Sequence, residues 1–173
     1  PWAEQARFAR SGGESMAIAA RIARAATKRD KIAFCGYHGW SDWYLAANLN
    51  PEGASDELQG HLLPGLAPTG VPRGLAGTAL PFTYNRLDEL EQIVNQHGSE
   101  LAAVVMEPTR STDPEPGFLE GVRELCDRCG AVLVFDEISS GWRMHLGGVH
   151  LQYGVAPDIA VFAKAISNGH PMA

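Results

Sequence analysis

Apolar residues fall into two patterns along this chain. Short unbroken runs occur in Lys31-Ile-Ala-Phe-Cys35, Leu101-Ala-Ala-Val-Val-Met106, Val132-Leu-Val-Phe-Asp136 and Asp158-Ile-Ala-Val-Phe-Ala-Lys164. Runs of this length bounded by polar residues predict buried strands of a parallel sheet covered on both faces. Before and between them lie stretches with helical spacing or strong helix formers, at residues 14–26, 87–96 and 118–129. The first has Ser11 and Glu14 at capping-box spacing and ends in basic residues, as a helix C-terminus favours. Helix and strand thus alternate, which predicts a doubly wound α/β layer with right-handed crossovers. The interval from about Trp43 to Pro81 is rich in Gly and Pro and weakly periodic, and is expected to be a long irregular excursion with a functional role.

Composition narrows the class without changing this architecture. The 173 residues, 45% of them hydrophobic, suffice for one sizeable core. Twenty acids against 14 bases give a net charge of -6 with no basic block, which argues against a nucleic-acid or anionic-membrane partner. No apolar run is long enough to span a bilayer, and three sparse cysteines fit a reducing compartment, so a cytoplasmic enzyme or binding domain is expected. The chain opens at Pro1 and stops at Ala173, soon after Lys164, and is expected to be a fragment.

Candidate chemistry gathers at strand ends. Asp136 closes one apolar run and Lys164 another, 28 residues later. In an open α/β sheet both would face the crevice outside the strands' carboxyl ends. Two readings are open: a structural ion pair, or pyridoxal phosphate chemistry, in which a lysine holds the aldehyde as a Schiff base and an acid keeps the ring nitrogen protonated. The Ser11-Gly12-Gly13-Glu14 turn lies at a helix entrance where backbone N–H groups can hold a phosphate, although such a turn alone is far more often a simple N-cap and gains weight only beside the other motifs. Cys126 and Cys129 read as ordinary helix cysteines, and no metal site is expected. His145 and His150, flanking Gly147-Gly148, read as solvent-facing. Trp40 and Trp43 are candidates for a pocket wall or an interface core.

Taken together, Ser11-Gly12-Gly13-Glu14, Gly36-Tyr37-His38-Gly39, Glu107-Pro108, Asp136-Glu137-Ile-Ser-Ser-Gly141-Trp142-Arg143 and Pro157-Asp158 with Lys164 resemble the class III, or omega, aminotransferases. Within them the glutamate-1-semialdehyde aminomutase branch is the nearest in look. The resemblance runs over nearly the whole chain in order and spacing. It implies the α/β large domain of fold type I, three-layered, with a mostly parallel sheet and helices on both faces. It further implies that residues 1–173 are part of that domain, without its N-terminal segment or the small C-terminal domain. Pyridoxal 5'-phosphate, an amino donor, a keto or aldehyde acceptor and a homodimer follow from the same likeness.

Carried over by position, the resemblance makes Lys164 the Schiff-base lysine and Asp136 the partner of the pyridine nitrogen. Gly12 and Gly13 match the phosphate-binding turn, where the family usually has Thr, Ser or Ala in place of Gly13. Tyr37 matches the aromatic that stacks on the ring and Ile138 the branched residue on its other face, while His38 takes a structural role. Glu107 matches an acid near ring or substrate, or else is an exposed loop charge. The chain departs from the family after Pro108, where Thr109-Arg-Ser-Thr112 replaces the common Val-Ala-Gly-Asn. Thr112 then stands where an asparagine would contact the ring hydroxyl, or that contact is lost. The family supports aminotransfer between two molecules, an intramolecular aminomutase of the semialdehyde type, or a non-catalytic truncated chain that only folds or dimerises.

Overall fold

The computed structural model describes residues 3–49 and 67–173. Five strands are present among them: β1 (Lys31–Cys35), β2 (Ala79–Pro81), β3 (Leu101–Met106), β4 (Val132–Asp136) and β5 (Ile159–Val161). They form one sheet in the order β2-β1-β3-β4-β5, every pairing parallel. The predicted strands are found at the expected positions, and β5 stops at Val161 rather than running to Lys164. The edge strand β2 was hidden in the supposed irregular excursion. It has three residues and ends in Pro81, and a proline is tolerated at a sheet edge where no further ladder bond is required. Much of the rest of that excursion, residues 50–66, lies outside the described residues.

Helix α1 (Gly12–Thr27) begins two residues before the predicted start. Ser11 is its N-cap, its hydroxyl accepting a hydrogen bond from the Glu14 N–H at 3.3 Å. Alanines at 19, 20 and 23 let α1 lie close on one sheet face, against Ile32, Phe34, Ala103, Val105 and Val134. The short α2 (Asp42–Leu45) adds Trp43 and Tyr44 to that side. On the other face, α3 (Leu87–His97) and α4 (Phe118–Cys129) bury Leu90, Val94, Leu119, Val122 and Leu125 against Ala33, Val104, Met106, Leu133 and Phe135. Cys126 is part of this second core and Cys129 borders it. A sheet with both faces covered explains why its central strands read as continuous apolar runs rather than alternating ones.

At the amino edge of the sheet, one side chain joins three segments. Arg29, between α1 and β1, donates from Nη1 to the carbonyls of Cys129 at 2.7 Å, Leu101 at 3.1 Å and Gly98 at 3.3 Å. At the carboxyl edge the chain order reverses between β1 and β3, because β2 lies on one side of β1 and β3 on the other. This is the topological switch point at which open α/β sheets form their ligand crevice.

Candidate active site

Asp136 is the last residue of β4 and pairs in register with Val161, the last residue of β5 and three positions before Lys164. The sheet therefore brings the two candidate residues to the same carboxyl edge. Asp136 is 3% exposed. Its Oδ1 accepts the Ile138 N–H at 3.0 Å and its Oδ2 lies 2.8 Å from His38 Nδ1. The far nitrogen of that ring, Nε2, is 2.9 Å from the Cys35 carbonyl. A carbonyl can only accept, so Nε2 carries a proton, and the Nδ1 contact holds one further proton between ring and carboxyl. His38 is 2% exposed, stacked at 6.2 Å on Trp43 and edge-on to Tyr44. Trp43 thus fills the core behind the histidine, whereas Trp40 is exposed.

Lys164 follows β5 with φ 49, a left-handed backbone unusual for a non-glycine residue and characteristic of functional sites. Its Nζ donates to Ser139 Oγ at 2.8 Å. No role for Ser139 is read from the sequence, and its place directly after Ile138, three residues beyond Asp136, is the available signal.

The glycine turn closes one end of the crevice. A Cβ on Gly12 would come within 2.6 Å of the Ile138 side chain, so Ile138 rests directly on that backbone. Nothing lies within 4 Å of a Cβ on Gly13, so this position opens into free space. Gly39, at φ +94, brings its own Cβ direction to 3.4 Å from the Gly13 Cα. The loop leaving β1 therefore passes over the start of α1, where the first N–H groups and the positive end of the helix favour an anion. Tyr37, on that loop, is half-buried with its ring 5.8 Å from Tyr44.

Glu107, at the end of β3, is 7% exposed, which excludes the reading as an exposed loop charge. Burial, and next the nearby Asp136, push its carboxyl above the usual range. Its Oε2 has no hydrogen-bond partner, and the Arg110 Nε lies 3.3 Å away as an ion pair only. Thr112 is exposed, its carbonyl accepting from the Thr109 hydroxyl at 3.1 Å.

Next to Asp136, Glu137 is wholly buried and organises the following excursion. Its Oε2 accepts from Ser140 Oγ at 2.6 Å, and its Oε1 from the His150 backbone N–H at 2.9 Å and Nδ1 at 2.8 Å. Burial raises its carboxyl, but the bonds from His150 and Ser140 outweigh it and hold the group below the usual range. The expectation for His150 is thereby corrected. It is 1% exposed, drawn inward by a buried carboxylate that needs donors.

A family model described as aminotransferase class-III matches residues 1–173. The glutamate-1-semialdehyde 2,1-aminomutase of Desulfovibrio desulfuricans is 38% identical, over 99% of this chain and 40% of its own length. The 3-aminobutyryl-CoA aminotransferase of Cloacimonas acidaminovorans is 36% identical, over 100% of this chain and 38% of its own. Among solved structures, a transaminase with PLP bound superposes with a TM-score of 0.81 at 32% identity, covering 98% of this chain and 39% of that one. An omega-transaminase from Sphaerobacter thermophilus gives 0.79 at 33% identity, with the same coverage of 98% and 39%. The chain spans about two fifths of the length of the curated relatives it matches.

Proposed function

The chain belongs to the class-III aminotransferase family, and from that premise we propose that it is the cofactor-binding part of an enzyme that moves an amino group from a donor to a keto or aldehyde acceptor with pyridoxal 5'-phosphate. The observation that carries this reading is the register of β4 and β5, which sets a buried, doubly hydrogen-bonded Asp136 beside the strand leading to Lys164. The donor set suits the group. A carboxylate at the crevice floor, an amine with an exposed side chain, an open position at Gly13 and a helix start for a phosphate lie along one sheet edge.

When bound, the cofactor supplies an aldehyde that captures an amine and a ring that accepts the electron pair left by deprotonation. Asp136 holds the proton on the ring nitrogen, and His38 and the Ile138 N–H keep that carboxylate aimed. Lys164 is the covalent anchor. With the cofactor bound, the Lys164 Nζ would be the base that takes up and returns a proton at the reacting carbon. Gly12 and Gly13 would offer backbone donors to the phosphate, and Tyr37 and Ile138 would pack on the ring. Glu107 would lie near the ring or the substrate.

Support for a homodimer comes from Trp142, Met144, Leu146 and Leu151, large apolar side chains left exposed along one stretch after β4. A cytoplasmic setting is in keeping with three free cysteines. Among the described residues no helix is long and apolar enough to cross a membrane. Both a mutase and a transaminase stand among the relatives, and mass analysis of the products separates moving the amino group within one molecule from moving it between two.

The test is to load the protein with pyridoxal phosphate, reduce with borohydride and map the adduct by peptide mass spectrometry against Lys164→Ala. A single adduct on Lys164 is expected. Labelling that is scattered, or that persists in the variant, removes Lys164 from the role.

A further inference from the structure

The four-residue loop from Gly36 to Gly39 joins two anion-seeking places. At its far end Gly39 lies on Gly13 and the helix start. At its near end, a Cβ on Gly36, whose φ is +98, would sit 3.6 Å from the Arg110 Nη1 and 3.3 Å from Glu107 Oε2. The loop separates them by at most roughly 10 Å, with Arg110 at the Gly36 end and the helix start at the Gly39 end.

Arg110 is placed rather than loose. The turn that carries it is fastened before it by the Tyr84 hydroxyl on the Pro108 carbonyl at 2.8 Å. After it, the Tyr153 hydroxyl bonds Asp113 Oδ1 at 3.1 Å, and Asn85 both donates to the Asp113 carbonyl at 3.3 Å and accepts from the Glu115 N–H at 3.0 Å. The guanidinium is 47% exposed, and its ionic neighbour among the described residues, Glu107, is a buried acid whose Oε2 takes no hydrogen bond from it. The planar fork of donors is therefore held at the crevice with its hydrogen bonds to that acid unmade. A fork of that shape matches a carboxylate through two parallel bonds.

We propose that Arg110 is a specificity-determining residue that binds a carboxylate of the amino substrate, at the end of the Gly36–Gly39 loop opposite the helix start. The assignment rests on the cofactor reading above. It implies that the substrate is an amino acid or amino-acid-like anion rather than a simple amine.

Two reagents that react with the cofactor's aldehyde carbon serve as probes: aminooxyacetate, which carries a carboxylate, and methoxyamine, which does not. Both are followed by the absorbance of the holoenzyme, for the native protein and for Arg110→Met and Arg110→Lys. The ratio of the two rate constants is expected to fall about 10- to 100-fold in Arg110→Met, as loss of a charge-assisted pair predicts, with Arg110→Lys in between. An unchanged ratio overturns the proposal. A common slowing of both reagents together with weaker cofactor retention also overturns it, by assigning the guanidinium to the cofactor ring. Failure of the native protein to fix pyridoxal phosphate on Lys164 overturns the cofactor reading itself, and is distinguished from the other outcomes by the borohydride map.

Discussion

Glu107 illustrates how a single side chain can be held at odds with its surroundings. Its carboxyl is pushed upward by burial and by Asp136, so the folded state binds its proton more tightly than the unfolded chain does. A raised acid contributes its full stability below the unfolded titration range and loses it as pH rises through the folded one. Above the unfolded titration range the acid is therefore a burden on the cofactor-free protein, whether its proton is retained or lost. Glu107→Gln is expected to raise the Tm at pH 7, with the gain shrinking towards zero in acid, as read by calorimetry across pH. A gain independent of pH would mean that the charge is not the cause. Legibility at this scale was uneven. That Asp136 and Lys164 lie at one edge of the sheet could be read because each closes an apolar run. His150 could not, since a histidine beside two glycines looks like a solvated loop until a buried carboxylate thirteen residues earlier turns it inward. In the departure at Thr109–Thr112, Thr112 is exposed, whereas Arg110 is the residue that lies beside Gly36 and Glu107.

Among the elements, the start of α1 depends on two adjacent glycines with different duties. Gly12 supports Ile138 by contact and leaves no room for a methyl group, while Gly13 faces open space. Gly12→Ala should displace Ile138 and weaken pyridoxal phosphate binding about tenfold or more. Gly13→Ala should leave binding within about twofold, and fluorescence titration with the cofactor compares the two. Equal effects would show that the turn, not the Ile138 contact, is what matters. The capping pattern Ser11/Glu14 announced this helix, though not that both glycines lie inside it. Strand β2 escaped notice for a related reason: three residues ending in proline carry too little periodicity to stand out from a Gly- and Pro-rich interval.

For the whole molecule, alternation of helix and strand was enough to foresee a parallel sheet covered on both faces, because that burial dictates the apolar runs. The order of strands was less accessible. It depends on β2 lying outside β1, which sends the next crossover to the other side and opens the crevice between β1 and β3. Assembly can be tested on the exposed apolar stretch after β4. Leu146 is 77% exposed, so Leu146→Asp costs the monomer little and should shift the sedimenting species from dimer to monomer at micromolar concentration. An unchanged dimer would place the contact elsewhere.

The two edges of the sheet carry different burdens, and Arg29 makes this visible. Its guanidinium gathers carbonyls from the end of α4, from the start of the turn before β3 and from the first residue of β3, all on the edge remote from Asp136 and Lys164. Arg29→Met should cost about 2–4 kcal/mol of stability by orphaning those acceptors, with hydrogen exchange quickening around residues 98–101 and 129 and cofactor affinity unchanged. Such a protein tolerates drift in its durability without drift in its chemistry, because the parts that keep it closed and the parts that handle a ligand meet only through the length of the strands.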